Sequence, residues 1–151
     1  MSSRKHIKND LLERKISAII RTYNQKVAEQ AMQAAVDGGF RVVEFTLTTP
    51  GALNLISQFR ENDDLIVGAG TVMSPILVQE AVEAGAQFLV SPVCNVDVIK
   101  AAEKLDVVSI PGTFTATEME TAHRAGADFV KLFPAPANVA EIGRASCRER
   151  V

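Results

Sequence analysis

The chain has 151 residues, 47% hydrophobic and 23% charged, with a formal net charge of −2; this suits one globular unit with a buried core and offers no strongly basic surface for nucleic acid. One tyrosine, Tyr23, and no tryptophan leave few platforms on which bases could stack. No apolar run approaches the roughly 18 residues of a membrane span, MSSRKHIKNDLLERK lacks the apolar core of a signal peptide, and Cys94 and Cys147 cannot form a disulfide framework. The expectation is a cytoplasmic protein with neither nucleic-acid nor membrane partners.

In chain order, an N-terminal helix carrying His6 comes first, and then six apolar, β-branched runs alternate with helical patterns. The predicted strands are ISAIIR (16–21), RVVEFTL (41–47), LIVGAGTV (65–72), FLVSP (88–92), VVSIPGT (107–113) and FVKLFP (129–134). Helix starts are marked by Asn24, by Thr49 with Pro50, by Ser74 with Pro75, by Asn95, and by Thr115 with Glu118 at the spacing of a capping box. Six βα units in series with almost wholly apolar strands predict a parallel sheet covered on both faces.

An internal repeat separates a barrel from an open sheet. VDGGFRVVE (36–44), VEAGAQFLV (82–90) and HRAGADFVK (123–131) align without gaps on Gly39, Gly85 and Gly126, 46 and 41 residues apart, or two units per step. Barrel interiors are filled in layers drawn from alternate strands, so a likeness among strands two, four and six predicts an α/β chain forming part of a (β/α)₈ barrel. The alignment superposes Glu44, Val90 and Lys131, which should then point into one layer of the lumen.

Lys131 stands between Phe129 and Val130 on one side and Leu132 and Phe133 on the other. A buried ammonium without a partner is costly, so such a lysine escapes to solvent, pairs with an acid, or becomes partly neutral and nucleophilic. Edge protection and a structural ion pair with Glu44 stand beside catalysis as readings of the pattern. Arg21, Glu44, Thr71, Ser91, Pro92, Thr113 and Lys131 fall near predicted strand C-termini, where barrels of this kind place their active sites. Gly68 and Gly70 in GAGTV lack the third glycine and following helix of a dinucleotide fingerprint; they either thin the wall for a ligand or make a tight turn. His6 and His123 lack a second ligand at metal spacing and are expected on the surface, and Cys94 is expected to be a bystander.

VVEFTL (42–47), GAGTV (68–72), AGAQFLVSP (84–92), IPGTFTATE (110–118) and FVKLFPA (129–135) occur in this order, and the chain resembles the family of 2-keto-3-deoxy-6-phosphogluconate and 4-hydroxy-2-oxoglutarate aldolases over most of residues 12–137. The resemblance implies a TIM barrel, a homotrimer when complete, and class I aldol cleavage of a small 2-keto acid with neither metal nor other cofactor. It assigns Lys131 as the Schiff-base lysine and Glu44 as the general acid/base. It sets Thr71, within GAGTV beside Gly70, against the substrate carboxylate, and makes Pro92 and Phe133 pocket walls, with Thr113 of IPGT nearby. Such chemistry needs a neutral amine: at a pKa of about 10.4 fewer than roughly one lysine in a thousand is neutral at pH 7, whereas about 7–8 suffices. A phosphate-binding isomerase or synthase barrel, or a non-catalytic binding barrel, would share the architecture without requiring that lysine.

Two departures from the family pattern stand out. Many relatives have an arginine after TL in the second motif, where this chain has Thr48, leaving Arg21 as the available carboxylate partner or else a solvated surface residue. Relatives also continue through two further βα units that bind phosphate, whereas here the pattern breaks at Glu141 into IGRASCRERV. One back-translation of that segment is a frame of a common short-read sequencing adapter. Residues 1–140 are therefore expected to form a partial barrel of six βα units, and 141–151 a non-native tail, on a chain that is itself inactive.

Overall fold

The computed structural model of the protein describes residues 3–135; the expected tail, 141–151, lies outside the described residues. Helix α1 (Ser3–Arg14) leads into β1 (Ala18–Ile20), α2 (Gln25–Asp37), β2 (Val42–Thr46), α3 (Ala52–Arg60), β3 (Ile66–Gly70), α4 (Pro75–Glu83), β4 (Phe88–Val90), α5 (Val96–Lys104), β5 (Val108–Ile110), β6 (Gly112–Thr113), α6 (Ala116–Arg124) and β7 (Lys131–Leu132). Strands β1 to β5 form one parallel sheet in sequential order, and β6 pairs in parallel with β7. Sequential parallel order with a helix after nearly every strand is the arc of a βα barrel. Among the described residues no helix is long and apolar enough to cross a membrane.

Most helix starts follow the cap chemistry of the sequence. The Asn24 side chain accepts from the Val27 amide, Ser74 from that of Leu77, and Asn95 from those of Asp97 and Val98. Thr115 and Glu118 close a reciprocal capping box. The expectation at Thr49 and Pro50 is corrected: α3 begins at Ala52 behind an N-cap Gly51 with a φ of 71°. The Thr49 hydroxyl instead accepts from the Thr22 amide and lies 3.2 Å from that of Thr46.

The strand alternation sorts side chains into two cores. Outward residues such as Val43, Phe45, Val67 and Leu89 pack against the helices, where Phe45 and Phe59 meet edge to face with centroids 5.1 Å apart. Inward residues Val42, Ile66, Phe88, Val90 and Val108 form a second cluster. Ile7 and Leu11 of α1, one turn apart, pack into that inner cluster. The helix is fixed there by Asp128, whose Oδ2 accepts from Arg4 Nε at 2.9 Å and from the Ser109 amide at 3.1 Å.

The repeat is visible in the backbone. Gly39, Gly85 and Gly126 follow their helices with φ of 102°, 100° and 95°, a left-handed turn that only glycine enters at little cost. All six predicted strands are shorter than expected, the last two most consequentially. The fifth breaks into β5 and β6 at Pro111, which has no amide hydrogen to give to a ladder, and Gly112 beyond it runs so close to the Pro92 carbonyl that a Cβ there would strike it. The sixth reduces to Lys131–Leu132, paired on one side, and Val130 and Phe133 stay exposed.

Candidate active site

Glu44 occupies the third position of β2, between Val43 and Phe45 in sequence but on the opposite face, so pleating alone turns it into the lumen. Lys131 opens β7 half-buried, held by its amide bonding the Pro111 carbonyl at 2.9 Å and by its carbonyl accepting from the Thr113 hydroxyl at 3.4 Å. Both line a cavity of about 360 Å³ together with Val90. The three residues superposed by the repeat thus share one cavity. It runs down past Val42, Phe88 and Phe129, each two residues before one of the superposed three, to Lys15 and Ile16 beyond α1.

The electrostatics of Glu44 are those of a carboxyl in a dry wall. Burial raises its pKa above the ordinary 4.5, and the positive charges of Lys131 and then Arg21 offset part of that rise. It is 4% exposed, and among the described residues no donor is hydrogen-bonded to its carboxylate. Nor do Glu44 and Lys131 close an ion pair within 4 Å among the described residues. The Lys131 ammonium instead lies over the Phe133 ring, 4.6 Å from its centroid.

The remaining sequence-expected residues take distinct places. Arg21, just past β1, is exposed but directed inward, donating from Nη2 to Thr71 Oγ1 at 3.2 Å. Thr71 has a φ of 62°, unusual for a β-branched residue and the kind of local strain found at binding sites. These two, with Glu44, form a cluster at the C-terminal ends of β1 to β3. Thr113 is 1% exposed and its hydroxyl donates to the Lys131 carbonyl, so it supports the lysine. Pro92 is half-buried with its carbonyl against Gly112, and Phe133 is exposed beside Lys131. Gly70 meets the Glu44 carboxylate, and Gly68 meets the Phe88 ring, so the thinned wall of β3 is filled by neighbouring side chains.

Sequence reasoning missed the apolar lower wall, Val42, Phe88 and Phe129. The signal was present: each lies at period two from a residue already placed in the lumen. Among the described residues no group of three or more His, Cys, Asp and Glu is arranged to hold a metal ion.

A family model described as KDPG and KHG aldolase matches residues 7–142. The chain belongs to the KDPG and KHG aldolase family. It is 42% identical over 107 residues to the KHG/KDPG aldolase of Escherichia coli K12, covering 70% of this chain and 50% of that one. It is 33% identical over 126 residues to a probable 2-dehydro-3-deoxy-6-phosphogalactonate aldolase of Rhizobium meliloti, with 82% and 59% covered. The structure of a Legionella pneumophila KDPG aldolase, with pyruvate captured as a covalent carbinolamine, matches with a TM-score of 0.74 at 29% identity, over 89% of this chain and 65% of that one. The chain spans about half the length of the curated relatives it matches. Its parallel arc therefore corresponds to part of the TIM barrel of those aldolases.

Proposed function

We propose that this chain carries the catalytic pair of a class I aldolase that cleaves a 2-keto-3-deoxy sugar acid or 4-hydroxy-2-oxoglutarate to pyruvate and an aldehyde. One observation carries the reading: Glu44 and Lys131, remote in sequence, line a single cavity, and the acid is buried there with no donor hydrogen-bonded to it among the described residues.

The Lys131 amine adds to the C2 ketone to give a carbinolamine, which loses water to a protonated imine. Cleavage of C3–C4 sends the bonding pair into that imine while the C4 hydroxyl gives up its proton, releasing the aldehyde and leaving an enamine. Protonation at C3 and hydrolysis return pyruvate and the free amine. The imine is the electron sink, so the scheme needs no metal. Glu44, directly or through water, moves the protons in these steps; a carboxyl whose pKa is raised by burial suits both donation and acceptance near neutrality. Arg21 and Thr71 hold the substrate carboxylate, standing in for the arginine that Thr48 replaces, and Phe133 and Pro92 wall the aldehyde side.

Relatives named for gluconate- and galactonate-derived phosphates support the shared pyruvyl half of the substrate more than any one aldehyde. The full enzyme is taken to be a homotrimer. Residues 1–140 are taken as the aldolase part and 141–151 as non-native; the family match runs over residues 7–142 and so takes in the first two residues of that tail. The 151-residue chain alone is taken to be inactive.

The test is pyruvate release from 2-keto-3-deoxy-6-phosphogluconate, its galactonate epimer and 4-hydroxy-2-oxoglutarate by the complete protein. Cleavage of at least one at an ordinary enzymatic rate is expected; cleavage of none overturns the reading.

A further inference from the structure

Strand β3 contributes no side chain to the upper lumen. Its inward positions are Ile66, Gly68 and Gly70, paired across the sheet with Val42, Glu44 and Thr46 of β2. Neither upper glycine has a left-handed φ, so the backbone does not demand glycine at either place. What glycine supplies is space, and the space is occupied. A Cβ on Gly68 would enter the Phe88 ring. A Cβ on Gly70 would strike Glu44 Oε1 and stand 2.9 Å from its Cδ and 3.3 Å from its Cγ.

The geometry points to Gly70 as a positioning residue for Glu44: its missing side chain leaves a trough in which the carboxylate lies, held over β3 and off the Lys131 ammonium. The inference rests on the aldolase reading and deepens it. The charged groups facing the carboxylate are Lys131 from β7 and Arg21 from the end of β1, with Lys15 farther down the same cavity. Val90 of β4 and Ile110 of β5 bring only hydrocarbon. With the trough filled, the carboxylate has one direction left, into the lumen toward Lys131. A closed ion pair there would stabilise the ammonium and withhold the neutral amine that imine formation needs. Gly70 thus acts through Glu44, which distinguishes it from a glycine that admits a ligand.

The test is a double-mutant cycle in the complete protein with G70A, E44D and G70A/E44D, since aspartate withdraws the carboxylate by one methylene from the added methyl. G70A should lower kcat for 2-keto acid cleavage by about 10²-fold or more while KM stays within about threefold. E44D should lower kcat when residue 70 is glycine, yet raise it about tenfold or more when residue 70 is alanine. A G70A effect mainly on KM, or an E44D effect of equal factor in both backgrounds, would overturn the proposal. Thermal melting of the four proteins reads the steric contact without activity: G70A should melt lowest and the double variant above it. If G70A does not fold, a folded double variant supports the contact and an unfolded one refutes it. A parent protein that cleaves no 2-keto acid would remove the aldolase reading, and the melting cycle would still decide whether Glu44 lies in the Gly70 trough.

Discussion

The two titratable groups of the site sit on strands built to different standards. Strand β2 has five residues, all buried, and is paired on both sides along most of its length. Strand β7 has two residues, both half-buried, and among the described residues is paired on one side only. Glu44 is therefore fixed by the local sheet, its neighbours deciding both direction and desolvation. Lys131 is fixed by one adjoining strand, through the Pro111 carbonyl and the Thr113 hydroxyl, and by a distant part, the clamp of Arg4 on Asp128 three residues upstream. An acid can be tuned by the strand that carries it, whereas the lysine depends on whatever closes the barrel around it.

The contrast is sharpest in catalysis. Replacing Lys131 by methionine in the complete protein should lower kcat by about 10⁴-fold or more, because among the described residues the other amine lining the cavity, Lys15, lies at its lower end. Kinetics within tenfold of the parent would reassign Lys131 to the edge of a sheet.

Glu44→Gln should lower kcat by about 10²–10⁴-fold, the range of general acid/base catalysis, and should change stability in a pH-dependent way. Burial raises the folded-state pKa of Glu44 above 4.5, so the folded protein holds this proton more tightly than the unfolded chain. The associated stability is fully present below 4.5 and is lost as pH rises through the folded value. Denaturant unfolding at pH 4 and pH 8 should therefore show the glutamine variant gaining on the parent at pH 8; a constant difference would mean Glu44 is not desolvated.

Phe45→Ala, behind Glu44 in the helix-packed core, should destabilise the protein by about 3–5 kcal/mol. Asp128→Ala should cost about 1–3 kcal/mol by leaving the Ser109 amide and Arg4 Nε without the carboxylate they share, Arg4 Nη2 keeping the Gly126 carbonyl. It should also slow imine formation at Lys131, whereas Phe45→Ala should leave the folded fraction fully competent. Equal effects of both on the folded enzyme would erase the distinction between a locally fixed acid and a remotely fixed lysine.

The sequence made the periodic features legible. Alternating apolar residues located every strand, hydroxyl and amide side chains marked four of five helix starts, and the glycine repeat put Glu44, Val90 and Lys131 in one layer, where a single cavity now joins them. Features that depend on a partner from elsewhere in the chain were hidden. The close approach of Gly112 to the Pro92 carbonyl is one, and the late start of α3, which accompanies the use of Thr49 by Thr22 and Thr46, is another. The Arg4–Asp128 bond spans 124 positions, and the occupant of the Gly70 trough comes from the neighbouring strand. The inward direction of Arg21 likewise needed Thr71 to be seen beside it.

The central claim is that Lys131 becomes covalently attached to a 2-keto acid. Incubating the complete protein with pyruvate and borohydride, then digesting it and locating the added mass by peptide fragmentation, measures this directly. The account predicts one reduced pyruvyl adduct, on Lys131, that is absent without pyruvate; a protein left unlabelled, or labelled at another lysine while Lys131 stays free, would contradict it.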